Sequence, residues 1–83
     1  MEEHSFLLHF QLPDTSDNAG NYLYNLSQIG IEASNVCISQ QGHISILFER
    51  KGNKDSIVKL AAETVLNAIP GAKLAWMKFT EPA

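Results

Sequence analysis

The sequence predicts one α+β domain over residues 1–83, in which two helices pack on one face of a four-stranded antiparallel sheet. Three observations predict this class. Stretches in which every second residue is apolar, which is typical of half-buried strands, occur four times. Stretches with helical spacing occur twice, and the two kinds follow each other in the order β-α-β-β-α-β. Turn formers, including Pro13, Gly30 and Pro70-Gly71, separate them.

The composition is that of an ordinary small globular protein. Of the 83 residues, 45% are apolar and 18% charged, which leaves room for one core but not for two. The net charge is −3 and the pI about 5.4, so the basic field that binds a phosphate backbone is missing and we expect no direct nucleic-acid binding.

The cellular location follows from the same inventory. The single cysteine, Cys37, cannot form an intrachain disulfide, which suits a reducing compartment. The acidic N-terminus does not match a signal peptide, and no apolar run approaches the roughly 20 residues of a membrane span. We therefore expect a cytoplasmic protein without membrane contact.

The first strand and helix are marked by a change of period. Residues 5–12 alternate and are followed by Pro13-Asp14, which ends the strand. Several possible N-caps lie at residues 15–18, and Gly30 provides the helix stop. The apolar positions that define the helix are Ala19, Tyr22, Leu23, Leu26 and Ile29.

A hairpin and a second helix follow. Val36 and Ile38 alternate around Cys37, and after a turn at residues 40–42 a second alternating stretch contains Ile44, Ile46 and Phe48. Pro70-Gly71 ends the second helix. Its apolar face is predicted to contain Val58, Ala61, Ala62, Val65 and Ile69.

The last strand, residues 72–79, is apolar on both faces. Leu74 and Trp76 fall on one side, and Ala75, Met77 and Phe79 on the other. The usual way to bury two helical faces against such a sheet is the ferredoxin-like arrangement, with strand order 4-1-3-2.

One face of that sheet is left open. The helices are expected to cover the face with Phe6, Leu8, Phe10, Val36, Ile38, Ile44, Ile46 and Phe48. By alternation the open face contains Leu7, His9, Cys37, His43, Ser45 and Leu47, joined by either Trp76 or the pair Met77 and Phe79. Exposed apolar patches of this kind often mark interfaces. The predicted protein interface therefore comprises Leu7, Leu47, Trp76, Met77 and Phe79.

No catalytic or metal-binding motif is recognisable. His9, His43 and Cys37 share the open face, but none has the close spacing of a metal motif, and His9 and His43 are expected to be diagonal at best. Cys37 lies in a strand, without a nearby cation to lower its pKa, and is predicted to be an ordinary buried or half-buried thiol. We therefore expect a non-enzymatic protein with no metal and no cofactor.

Two acidic residues near the first helix have a structural and a functional interpretation. Asp14 and Asp17 are predicted to cap the helix and to interact favourably with its dipole. Their negative charge would repel a phosphate. The same carboxylates are candidate contacts to a basic partner surface.

Several turn and strand-end residues resemble those of a poorly characterised group of short bacterial proteins. The resemblance rests on Leu12-Pro13-Asp14, on Phe48-Glu49-Arg50 and on Pro70-Gly71-Ala72, and it spans nearly the whole chain. In many members of the group this domain precedes a helix-turn-helix segment. Because nothing follows Ala83, the resemblance implies that this chain is the interaction or dimerisation half.

Three classes of function are compatible with these observations. The first is a protein-interaction module that binds another protein, or itself as a homodimer, through the open sheet face or an edge strand. Such a module could be an accessory subunit, an antitoxin-like partner, or a phage or mobile-element inhibitor of a host complex, such as an anti-CRISPR protein. The second is a regulatory domain that binds a small molecule. The third is modulation of a separate DNA-binding partner.

Overall fold

The computed structural model describes residues 3–14, 19–38 and 41–80. Strand β1 (Glu3–Gln11) is followed by a 3-10 turn (Ala19–Tyr22) that continues into helix α1 (Leu23–Gln28). A second 3-10 turn (Ala33–Asn35) leads into the short strand β2 (Val36–Cys37). The remaining elements are β3 (His43–Lys51), α2 (Lys54–Ala68) and β4 (Lys73–Phe79).

The four strands form one antiparallel sheet. From one edge their order is β2-β3-β1-β4, which is 4-1-3-2 when counted from the β4 edge. The central strand β1 pairs with β3 along its whole length, from Glu3 opposite Lys51 to Gln11 opposite His43. Its other side pairs with β4. The predicted α+β class, with an antiparallel sheet and two helices, is confirmed.

The core lies between the helices and one face of the sheet. Alternate residues of β1 are fully buried there, as their period of two predicts. The rings of Phe6 and Phe48 stack at 5.6 Å between centroids. The buried apolar side chains are Phe6, Leu8, Phe10, Leu12, Leu26, Ile31, Ile44, Ile46, Phe48, Ile57, Ala61, Ala62, Val65 and Ile69.

A β-bulge in β4 overturns the predicted faces of the last strand. His9 pairs with Trp76, but the next residue, Phe10, pairs with Leu74, so β4 has one extra residue at this point. An extra residue reverses the alternation on one side of the bulge. Leu74 therefore lies on the same side as Met77 and Phe79, and not with Trp76 as expected.

Two predicted core positions are also wrong. The first helix is short, and Ile29, at its C-cap, is 38% exposed. The chain turns at Gly30, so that Ile31 takes the buried position instead. Strand β2 ends at Cys37, and Ile38 beyond it is 46% exposed. Val36, by contrast, packs against the core on the predicted face and is partly buried.

Helix α2 has a side-chain cap that the sequence analysis did not assign. The side-chain oxygen of Asn53 accepts hydrogen bonds from the backbone N–H groups of Asp55 and Ser56, at 3.0 and 3.3 Å. These bonds satisfy two of the N–H groups that the first turn of a helix leaves without a partner. The helix consequently begins at Lys54, a full turn before the first apolar residue used to predict it.

The turn between α2 and β4 requires glycine for two reasons. Gly71 has φ +89°, a conformation that side chains strongly disfavour. A Cβ atom at this position would also lie 3.2 Å from Cβ of Pro13. The turn after α2 thus packs directly on the turn after β1.

Candidate interaction surface on the open sheet face

One row of side chains crosses the open face from edge to edge. Cys37 of β2 pairs with Ser45 of β3, Ser45 pairs with His9 of β1, and His9 pairs with Trp76 of β4. Because partners in register have side chains on the same face, these four residues form a line. His43, two positions before Ser45 in β3, lies beside it.

His9 is the centre of this arrangement. Its Nδ1 atom is 2.6 Å from Oγ of Ser45, and its Nε2 atom is 3.1 Å from Nδ1 of His43. The indole of Trp76 stacks on the His9 ring, with 4.8 Å between the ring centroids and only 3° between the planes. We call these four residues, His9, His43, Ser45 and Trp76, the open-face cluster.

The cluster favours neutral histidine at position 9. Partial burial, and secondly the neighbouring His43, lower the pKa of His9 from its ordinary value of 6.5. Both causes disfavour the imidazolium, because it loses hydration and would face a second cation. At neutral pH His9 therefore has one N–H donor and one lone pair for its two partners.

An apolar pair lies next to the cluster. Leu7 and Leu47 face each other in register on β1 and β3, and both are half-buried. Trp76 is 47% exposed. These are the three residues of the predicted interface that lie on the open face.

The other two predicted interface residues lie on the opposite side of the sheet. Met77 and Phe79 are partly buried against the core, and with Leu74 they line a groove between α2 and β4. This β4 groove has a volume of about 380 Å³, and Val58 and Ala62 of α2 form its other wall. The ammonium group of Lys54 lies over the Phe79 ring, 4.6 Å from its centre.

The sequence left open whether Trp76 or the pair Met77 and Phe79 lies on the open face. The structure places Trp76 there. In strand β4 these neighbours point in opposite directions, so only Trp76 can join Leu7 and Leu47. The predicted interface is divided between two surfaces.

The histidine contact was missed by the sequence analysis. Alternation places His9 and His43 on one face, but only the pairing of β1 with β3 determines how far apart they are. The third histidine, His4, is 6% exposed and lies on the helix side, where its ring contacts Phe79 edge-on at 6.1 Å.

The cluster contains a serine and a histidine in contact, which is also the basis of nucleophilic catalysis. Ser45, however, is only 7% exposed and lies within a paired strand. The 2.6 Å contact with this shielded hydroxyl orients the His9 ring.

Cys37 is exposed rather than buried or half-buried as predicted, because β2 is a two-residue edge strand. Asp14 is exposed, whereas Asp17 lies outside the described residues. The N-cap of α1 is Tyr22, whose side chain makes no capping hydrogen bond.

Fold and surface together define a class: a small α+β protein with one covered and one open sheet face, the latter displaying a stacked tryptophan–histidine pair. No protein-family model matches the chain, and comparison with curated proteins and with solved structures finds no significant match. The resemblance to the short bacterial group therefore stays a prediction. Within residues 3–14, 19–38 and 41–80, no helix is both long enough and apolar enough to cross a membrane.

Proposed function

We propose that this chain is a non-enzymatic protein-interaction module that binds its partner through the open sheet face. The observation that carries this proposal is Trp76. Its indole is about half exposed, yet it is held flat against the His9 imidazole. Tryptophan is strongly enriched among the residues that dominate binding energy at interfaces.

The stacking lowers the entropic cost of binding through Trp76. A free surface tryptophan must lose its side-chain freedom when a partner covers it. Here the ring is already oriented by His9, which is itself held by Ser45 and His43. Leu7 and Leu47 extend the apolar area on the same face.

The face is better suited to binding than the β4 edge. Strand β4 pairs with β1 on one side only, so its other edge could accept a partner strand. Lys73 and Lys78 are exposed on this strand, and lysines on an edge oppose strand addition. We therefore assign the interface to the face and not to the edge.

The proposed partner is a protein with a basic or apolar surface, or a second copy of the chain. The net charge of −3 favours approach to a basic surface, with Asp14 among the contact candidates. With such a partner, this chain would act as an accessory subunit, an antitoxin-like protein or a phage-encoded inhibitor. The exposed free thiol of Cys37 fits the cytoplasm.

We also propose the ferredoxin-like label for the fold. It is supported by the β-α-β-β-α-β order of elements and by the central position of β1 and β3 in the sheet. Both helices contribute to a single core on one side, as that arrangement requires.

The experiment compares two aromatic substitutions. Trp76→Ala removes the ring from the open face, and Tyr24→Ala removes an even more exposed ring, 72% accessible, from α1. Light scattering across a concentration series tests self-association, and affinity purification followed by binding measurements with each purified candidate tests other partners.

We expect Trp76→Ala to weaken the interaction at least tenfold, and Tyr24→Ala to leave it unchanged. Circular dichroism confirms that both variants remain folded. Equal binding by the two variants would show that the open face is not the interface.

The β4 groove favours a second candidate, a regulatory domain that binds a small molecule. The groove is mainly apolar, and its volume is in the range of small-molecule sites. Its charged lining residues are Lys54, Lys59, Asp55 and Glu63. An apolar carboxylate would place its hydrocarbon part in the groove and pair with one of the two lysines. Such a ligand should raise the melting temperature of the wild type. It should not raise that of a Val58→Trp variant, in which a larger side chain fills the groove. If no member of a panel of apolar carboxylates stabilises the wild type, this function is excluded.

A further inference from the structure

We propose that His9 and His43 form a binding site for a divalent transition-metal ion of the kind that imidazole favours, such as Zn²⁺. The site lies on the same face as the proposed interface but does not depend on it. It is tested on the isolated chain, so that either proposal can fail without the other.

The first argument is the distance between the two nitrogen atoms. Nε2 of His9 and Nδ1 of His43 are 3.1 Å apart, and the ring centroids are 5.2 Å apart. Two nitrogen atoms that each lie 2.0–2.1 Å from a tetrahedral zinc ion are separated by roughly 3.4 Å. A slight separation of the two nitrogen atoms and a rotation of each ring by roughly 35° would direct both lone pairs at one tetrahedral ion.

The second argument is that His9 already has the hydrogen bond that metal-binding histidines usually have. The ring nitrogen that does not bind the metal generally donates to an oxygen atom, which fixes the tautomer. Nδ1 of His9 lies 2.6 Å from the buried Oγ of Ser45. If Nδ1 donates to Ser45, Nε2 has the free lone pair, and it faces His43.

The third argument is the rigidity of the site. Trp76 stacks on the His9 ring, and both histidines lie on the long paired strands β1 and β3 rather than on loops. Sites on rigid elements lose less entropy when they bind an ion.

The proton balance of binding is simple. If Nδ1 of His9 donates to Ser45, then in the metal-free chain Nδ1–H of His43 donates the hydrogen bond to Nε2 of His9. When the ion binds Nδ1, this proton moves through solvent to Nε2 of the same ring, and both imidazoles stay neutral.

The ion would retain open coordination positions. Within the described parts of the chain, no cluster of three histidine, cysteine or acidic residues is close enough to enclose a metal. Two imidazoles therefore hold the ion, and water completes its coordination. A partner protein on the open face could replace that water with ligands of its own.

The experiment titrates ZnCl₂ into the chain in a Cys37→Ser background, so that the exposed thiol cannot bind the ion. Histidine ¹⁵N NMR reports each ring nitrogen, and calorimetry measures the affinity. We expect Nε2 of His9 and Nδ1 of His43 to shift together, while the buried His4 remains unchanged as an internal control.

Two variants complete the test. His43→Ala should reduce the zinc affinity at least tenfold, and Ser45→Ala, which removes only the orienting hydroxyl, should reduce it about tenfold. The proposal is overturned if zinc shifts neither histidine, if it shifts His4 equally, or if His43→Ala binds as well as the parent. The NMR spectrum of each variant establishes that it is folded.

Discussion

The stacked pair formed by His9 and Trp76 should make a measurable contribution to stability. Aromatic pairs in contact contribute about 0.5–1.5 kcal/mol beyond the area that they bury. With 4.8 Å between centroids and nearly parallel planes, this pair has the offset-stacked geometry that aromatic rings prefer. Its partial exposure places the expected coupling energy at about 1 kcal/mol, within that range.

A double-mutant cycle isolates this coupling from the other effects of each substitution. His9→Ala also leaves the buried Ser45 hydroxyl without its partner, which costs about 1–3 kcal/mol. Trp76→Ala costs only the stack and some buried area. The cycle subtracts both single effects and retains the interaction between the two rings.

Urea unfolding of the wild type, both single variants and the double variant provides the four free energies. The matched control is a cycle of His9→Ala with Leu60→Ala, a residue that is 63% exposed on α2, on the opposite side of the molecule. This control should be additive to within about 0.3–0.5 kcal/mol. Equal additivity for His9 and Trp76 would refute the stack, and with it the argument that Trp76 is oriented before binding.

Three further predictions concern the turns, the helix cap and pH. Gly71→Ala should destabilise the fold by more than Gly30→Ala. Each substitution places a side chain at a positive φ, which costs about 1–2 kcal/mol of stability, but only the side chain at position 71 would also crowd Pro13. Equal changes in melting temperature would contradict the crowding. Asn53→Ala should cost about 1 kcal/mol in urea unfolding, because two α2 N–H groups lose their acceptor, whereas Asn53→Asp should retain most of it. With EDTA present, stability should fall as the pH drops through 6.5, because the pKa of His9 is lower in the folded chain and the unfolded chain therefore binds more protons. His9→Gln should flatten this part of the profile of stability against pH. An unchanged slope would contradict the assignment to His9.

The sequence alone was sufficient for the order of the elements and for most of the core. Alternation in β1 and β3 places Phe6, Leu8, Phe10, Ile44 and Ile46 on one face, and all five are fully buried. Such patterns are reliable because a strand side chain changes face at every residue, wherever the strand lies in the sheet. The open face was predictable for the same reason.

The candidate site depends on information that is not local. The contact between His9 and His43 is set by the register of β1 and β3, and the orientation of Trp76 by the pairing of β4 with β1. Strand registers are determined by side chains that are far apart in the sequence, so periodicity within one strand cannot reveal them.

The bulge in β4 shows most clearly what only the tertiary structure decided. Both faces of this strand contain apolar residues, so the sequence pattern is compatible with either orientation. Pairing with β1 inserts an extra residue opposite the step from His9 to Phe10, and this sends Leu74 to the groove and leaves Trp76 on the open face. The sequence by itself determined which faces are apolar. The pairing of β4 with β1 determined which of its apolar groups lie on the core side and which can meet a partner.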